Sequence, residues 1–322
     1  MKSIIRLAAA LALVGASHVA ALAAQISEIR IDWATYNPVS LVLKADGVLE
    51  KEFEKDGIKV TWVQSAGSNK ALEFLNAGSL DFGSTAGAAA LIGRINGNPI
   101  KSVYVYSKPE WTALVTRKDT GITTVADLKG KAIAVTRGTD PHIFLVRALA
   151  EAGLTEKDVS LVLLQHADGR LALKRGDVAA WAGLDPIMAS AEIEDGDVLF
   201  HRNPANNSWG VLNVREEFAA QHPDIVRRVL RAYEQARAES QKNPAKLKAE
   251  LVAATKLPEP VIERQLQRTD LNHSAIGQEQ AGTIAAAGLA LQKAGVVKAD
   301  VDVAATVSQL IDPSYLPVGV GQ

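Results

Sequence analysis

The sequence predicts an α/β protein of two lobes with a ligand cleft between them. Strand-like and helix-like segments alternate through the first third of the chain, and the same alternation restarts after Gly121. The chain of 322 residues is also longer than one hydrophobic core usually serves.

The elements follow in order. Ile26 to Trp33 alternates apolar and polar positions, the period of a strand, and Asn37-Pro38 opens a helix carrying Val39, Leu41, Val42 and Leu43. Ile58 to Val63 is a second strand, ending in Gln64-Ser65-Ala66-Gly67-Ser68-Asn69. Beyond it Ala71, Leu72, Leu75 and Ala77 recur at helical spacing until Gly78. Leu80 to Phe82 reads as a short third strand, Gly83 to Gly87 as a loop, and Ala88 to Arg94 as a helix. Ile100 to Tyr106 and Thr112 to Arg117 read as further strands.

The second series starts with a short helix at Val125 to Gly130 and a strand at Lys131 to Thr136. A helix from His142 to Ala152 follows, with Asp140 suited to its N-cap and Pro141 to its first position. Val159 to Leu164 and Val178 to Trp181 are strands. From Gly210 a last strand, Val211 to Val214, leads into long amphipathic helices. In Pro223 to Ser240, residues Ile225, Val226, Val229, Leu230 and Tyr233 share one face. The expected lobes are 25–117 together with 208–322, and 118–207, with two crossovers as the hinge.

The N-terminus reads as an export signal over residues 1–24. Lys2 and Arg6 precede the apolar run Leu7 to Val14, and Ala21-Leu22-Ala23 offers a cleavage site. There is no cysteine, which excludes disulfides, thiolate metal sites and a lipidated cysteine at the cleavage point. The expectation is a freely diffusing periplasmic monomer without a lipid anchor. Net charge is −1, or −3 without Lys2 and Arg6, which leaves no basic footprint for nucleic acid. An anionic ligand must then be held by local chemistry rather than by a global field.

Three small polar segments, Gly67-Ser68-Asn69, Ser84-Thr85-Ala86-Gly87 and Arg137-Gly138-Thr139-Asp140, each follow a strand and open a helix. Ligands of open α/β sheets bind beyond strand carboxyl ends, where helix N-termini present unpaired N–H groups to anions. Capping alone also explains Ser, Thr and Asn at any one of these positions. Arg137 is the natural full positive charge for a bidentate anion contact, and equally suits a surface position or a pair with Asp140. Trp111 and Trp209 fall at the two crossovers, and Trp181 at a strand end before Asp185-Pro186, as cleft walls or as plain core. His142 and His166 are candidate donors or surface residues. No histidine pair has metal-ligand spacing, so neither a metal nor a cofactor is expected. No G-x-S-x-G elbow, Walker A loop or G-x-G-x-x-G fingerprint is present, which favours binding over catalysis.

Thr61 to Ser65 with Gly67 to Thr85, Val125 to Lys131, Arg147-Ala148-Leu149 with Gly153-Leu154, Trp181 to Pro186 and Phe218 to Pro223 resemble the periplasmic receptors for aliphatic sulfonates, taurine and nitrate. The resemblance spans nearly the whole chain after the signal. It implies a type II periplasmic-binding-protein fold, an ABC importer permease as partner, and an acid group held by Asn37, Ser84, Thr85, Gly138 and Thr139. Together with the residues read above, the expected site is Asn37, Gly67, Ser68, Asn69, Ser84, Thr85, Ala86, Trp111, Arg137, Gly138, Thr139, His142, Asp185 and Trp209. The apolar run Ala86-Gly87-Ala88-Ala89-Ala90 departs from many sulfonate and taurine receptors and argues for a ligand with a larger apolar tail than taurine. The resulting expectation is capture of an alkyl or aryl sulfonate, or a sulfate ester. Nitrate, bicarbonate and a thiamine-precursor pyrimidine are the alternatives, and an exported enzyme on the same fold is a further one.

Overall fold

The computed structural model describes residues 26–320, so the expected export signal lies outside the described residues. The chain begins with strand β1 (Glu28–Trp33), helices α1 (Pro38–Ala45) and α2 (Val48–Phe53), and β2 (Lys59–Gln64). Helix α3 (Ser68–Asn76), β3 (Phe82–Ala86), α4 (Gly87–Ile95) and β4 (Ile100–Pro109) complete the first run. The second run is β5 (Thr112–Thr116), β6 (Ala132–Val135), α5 (Asp140–Glu151), β7 (Ser160–Leu163), α6 (His166–Arg175), β8 (Ala180–Leu184), α7 (Ile187–Ser190) and β9 (Val198–His201). Then come β10 (Gly210–Arg215), α8 (Glu216–Gln221), α9 (Pro223–Lys242), α10 (Pro244–Thr255), α11 (Glu259–Gln267), β11 (Thr269–Asp270), α12 (Gln278–Lys293) and α13 (Val303–Leu310).

Two sheets result, ordered β11-β4-β10-β3-β1-β2 and β7-β6-β8-β5-β9. In each, three strands of the local strand–helix alternation lie parallel, β2-β1-β3 and β7-β6-β8. Beside each trio runs one antiparallel strand delivered by a crossover, β10 against β3 and β5 against β8. Both lobes therefore share one strand order, and the chain passes between them at Glu110–Trp111 and again over residues 202–209.

The first crossover falls earlier than the expected boundary at residue 117. Thr112 to Thr116 hydrogen-bonds to β8 and β9, so that strand belongs to the second sheet. A second departure concerns Ser84, Thr85 and Ala86, which form the end of β3 rather than a loop. Thr85 pairs with Val211 and Ala86 with Gly210, and small residues suit a strand enclosed on both faces. A third is the cap of α5, which is Thr139, with Asp140 already inside the helix.

The first lobe is closed by the C-terminal helices. Helix α9 buries Val226, Val229, Leu230 and Tyr233 against the sheet's core, as its apolar stripe predicts. On its opposite side Arg228 is paired with Glu52 and Asp56 and lies over the Phe53 ring at 4.3 Å. Asp81, just before β3, is buried and accepts from Arg30 at 2.7 Å and Arg215 at 2.9 Å, tying β1 to β10. These anchors fix the sheet at the end of β3 away from the cleft.

Candidate functional site

The carboxyl ends of both sheets face one another, and the lobes are closed. A Cβ added at Gly67 would stand 3.0 Å from His166 Nε2, and one added at Gly138 would stand 3.8 Å from Asn69 Cβ. The N-termini of α3 from the first lobe and of α5 and α6 from the second therefore converge. The first internal acceptor in α3 is Gly67 O, reached by Lys70 and Ala71, which leaves the N–H groups of Ser68 and Asn69 free of the helix ladder. Ser68 Oγ accepts from Ala86 N at 3.0 Å and keeps its own proton to give. Ser65 Oγ, Asn69 Oδ1 and His166 Nε2 are buried there without hydrogen-bond partners. Converging positive helix ends with spare neutral donors form an anion site that needs no permanent cation.

Of the other expected side chains, Ser84 and Thr139 have committed their hydroxyl protons, while Thr85 only accepts and keeps its own. Ser84 Oγ donates to Asp32 Oδ1 at 2.8 Å and accepts from Asn37 Nδ2 at 2.8 Å, while Asn37 Oδ1 caps α1 at Ser40 N. Thr85 Oγ1 accepts from Asn213 Nδ2, and Thr139 Oγ1 donates to Thr136 O. The N-terminus of α4 is satisfied by the second crossover, Gly87 N donating to Trp209 O at 2.8 Å and Ala88 N to Ser208 Oγ at 2.9 Å. Ser84, Thr85 and Asn37 thus build the rigid floor under the cleft. Asp32 within that floor is pushed up to about 6 by burial, against the pull of the Ser84 hydrogen bonds.

The wall nearest the hinge is Trp111, packed edge-on to Tyr36 with ring centroids 6.0 Å apart and tilted against Tyr106 at 6.4 Å. Its Nε1 donates to Asp140 Oδ2 at 2.7 Å, and Ser208 N donates to the same oxygen at 2.9 Å. One carboxylate at the start of α5 thereby holds both crossovers. Burial pushes Asp140 up to about 6, and its Oδ1 is buried without a partner. Beside the first crossover, where Asp185 N donates to Trp111 O and Glu110 N to Arg268 O, the Asp185 carboxylate accepts from Ala189 N and faces Arg268 Nη1 at 3.4 Å. Burial outweighs that guanidinium and raises Asp185 to about 7. Arg268 and Arg264 also pair with Glu192, so α11 of the first lobe is bolted to the second.

Three expected residues sit elsewhere. Arg137 is half exposed with Nη2 3.7 Å from Glu156, which also takes the His142 imidazole at 2.9 Å. Both side chains line a surface crevice with Ile92, Ile95 and Leu291, and Arg137 also borders a second, open crevice with Asn69, Thr136 and Gln165 at the edge of the helix-end junction. Trp209 joins the first lobe's core beside Val105 and Ile284, with Lys108 4.7 Å from its ring. Trp181 is core in the second lobe. Sequence reasoning missed Tyr36, Ser65, Tyr106 and Arg268. None carries a local signal, because a side chain's place at a cleft is decided by strands and helices distant in sequence.

Two like sheets, two crossovers and facing strand ends define a two-lobed receptor of the periplasmic-binding-protein type. Comparison with known proteins makes the assignment narrower: the chain belongs to the NMT1/THI5-like family, whose model matches residues 52–247. A relative from Escherichia coli (strain K12), described as an aliphatic sulfonates-binding protein, is 30% identical over 264 residues, 81% of this chain and 82% of its own. The alkanesulfonate-binding protein SsuA from Xanthomonas axonopodis pv. citri, bound to MOPS, superposes with a TM-score of 0.79 at 25% identity, covering 88% of this chain and 98% of that one. The periplasmic aliphatic sulphonate binding protein SsuA from Escherichia coli gives 0.75 at 27% identity, covering 89% and 92%. A 4-amino-5-hydroxymethyl-2-methylpyrimidine phosphate synthase of Schizosaccharomyces pombe matches at 24% identity over 62% of each chain, so enzymes share the family.

Two predictions follow from this geometry. At Gly67 the backbone is extended, so the need for glycine is steric: a Cβ would come within 2.8 Å of Asn69 Oδ1 and 3.0 Å of His166 Nε2. Gly67→Ala is expected to hold the lobes apart, read as a larger radius of gyration by small-angle scattering, and an unchanged radius contradicts it. Asp140 has a folded-state pKa of about 6 against an ordinary 3.8, so between them the folded state binds more protons than the unfolded. Its contribution to stability therefore falls as pH rises from about 4 to about 6. Urea denaturation is expected to show Asp140→Asn gaining on the wild type across that window and levelling above it, and parallel profiles contradict the assignment.

Proposed function

We propose that this chain is a periplasmic receptor that captures an organic sulfonate or sulfate ester and delivers it to an ABC importer. The acid group is held between the N-termini of α3 and α5, and the carbon skeleton lies against Trp111 and Tyr36. The observation that carries this reading is the pairing of spare neutral donors at α3, the N–H groups of Ser68 and Asn69 and the Ser68 hydroxyl, with a facing helix end on the other lobe. A sulfonate stays singly ionised across the physiological range, so neutral donors suffice and no protonation step is required. Because the two helix ends belong to different lobes, a bound acid group completes its contacts only on closure. The family relationship and the sulfonate-binding relatives support the same reading.

The receptor binds and releases its ligand unchanged, with lobes divided at the two crossovers. It is exported by a cleavable signal over residues 1–24, and with no cysteine to carry lipid it diffuses as a monomer between ligand and permease. One observation favours a second ligand type. Asp140 Oδ1, buried without a partner near the Trp111 indole, suits a sulfonate that also carries an N–H donor.

A thermal-shift panel on the mature chain tests both. It contains alkanesulfonates of several lengths, an aryl sulfonate, an alkyl sulfate, taurine, nitrate and a pyrimidine. A ligand at 100 times its Kd stabilises by about 2.7 kcal/mol, a shift of several degrees for a chain of this size. Selective stabilisation by sulfonates or the sulfate ester is expected. A response to nitrate or the pyrimidine alone overturns the proposed ligand class.

A further inference from the structure

His166 opens helix α6, is 1% exposed, and presents its Nε2 without a partner toward Gly67 and Asn69 of the other lobe. Its Nδ1 lies 3.2 Å from Thr136 Oγ1, which is itself 2.7 Å from Leu164 O. Thr136 has a single hydroxyl proton. When that proton goes to Leu164 O, Nδ1 carries the imidazole hydrogen and Nε2 shows a lone pair. When the hydroxyl turns to Nδ1, the hydrogen sits on Nε2 and points into the junction of the three helix ends.

We propose that His166 is a ligand-binding residue of the acid-group subsite, donating Nε2–H as a neutral imidazole to an oxyanion while Thr136 holds the tautomer. The inference rests on the sulfonate reading for its ligand class and adds a third helix, α6, to the anion's surroundings. Only an acid group whose oxygens are all acceptors, such as a sulfonate or sulfate ester, is matched by this donor together with the α3 N–H groups.

The magnitudes decide for a neutral over a charged imidazole. Burial alone lowers His166 to about 3. A bound anion raises such a group by about 1–3 units, and the surrounding positive helix ends oppose the gain. The imidazole therefore stays uncharged at neutral pH with the ligand in place. The charged groups near it are few: Arg137 and Asp168 line the crevice beside Thr136, and Arg170 on the same helix is engaged by Glu194 and Asp195. Helix α3 brings Asn69, and the strands beneath bring Thr136 and Trp181, none of them ionised.

Imidazole ¹⁵N NMR on the mature chain at pH 7 reads the tautomer directly, with His166→Gln to assign the signal. The probes are ethanesulfonate, inorganic sulfate and nitrate, each titrated alone. Ethanesulfonate is expected to move the proton from Nδ1 to Nε2 saturably. Calorimetry in two buffers of different ionisation enthalpy should then find the same proton uptake in the wild type and in His166→Gln, and the two should share one pH dependence of affinity from about 5.5 to about 8.5, set by Asp140 and Asp185. His166→Leu should weaken binding by about 10- to 100-fold, the cost of one hydrogen bond to a charged group, while the amide of His166→Gln restores most of it. Circular dichroism checks that both variants fold.

Ethanesulfonate binding with an unmoved His166 signal, or equally tight in His166→Leu, overturns the proposal and leaves the sulfonate reading standing. Proton uptake with a charged imidazole also overturns it. A tautomer shift with sulfate or nitrate but none with ethanesulfonate supports the subsite and removes the sulfonate reading. Silence of the His166 signal toward all three anions overturns the subsite.

Discussion

Both connections between the lobes end on the carboxylate of Asp140, and the geometry of the cleft depends on that contact. Trp111 from the first crossover and Ser208 from the second donate to the same Oδ2, at 2.7 and 2.9 Å. The Asp140 backbone begins helix α5, so any movement of the crossovers carries the N-terminus of α5 with it. The same Ser208 caps α4 through its hydroxyl. A buried carboxylate with raised pKa costs stability, and its place at a hinge suits a device for specificity rather than for maximal strength.

Around this hinge the polar groups divide into two sets. Asp32, Ser84 and Asn37 satisfy one another beneath the cleft, and Asn213 takes Ser102, Gly83 O and Thr85 beside them, fixing the floor at the ends of β1 and β3. Ser65, Ser68, Asn69 and His166 keep unspent hydrogen-bonding capacity at the junction of helix ends. A satisfied layer supporting an unsatisfied one gives preorganised donors, because the supporting groups hold one another in place. Beside the same hinge, Asp185 N donates to Trp111 O and Glu110 N to Arg268 O, while Arg264 and Arg268 hold Glu192 and Arg268 faces Asp185, so charge pairs brace the first crossover between the lobes.

Much of this was legible in the sequence. The alternation of strands and helices, its restart after Gly121 and the late run of amphipathic helices correspond to two sheets and a C-terminal return to the first lobe. Gly67-Ser68-Asn69 and Gly138-Thr139 do meet across the cleft. What was not legible depends on long-range pairing. Ser84, Thr85 and Ala86 look like a loop until β10 arrives beside them from far along the chain. Asp140 has the local look of a cap, and only Trp111 and Ser208 reveal its hinge contact. Arg137 promised an anion contact by charge alone, but Glu156, within reach on the same lobe, draws it to the surface. Arg268 carries no local sign of a hinge contact, since its side-chain partners lie in another lobe.

The most direct measurement is a crystal structure of the mature chain grown with an alkanesulfonate. The account predicts closed lobes with sulfonate oxygens within hydrogen-bond distance of Ser68 and the first N–H groups of α3, facing the start of α5, and with the alkyl chain against Trp111. An alkanesulfonate bound outside that junction, or bound in the surface crevice beside Arg137 and His142, would contradict it.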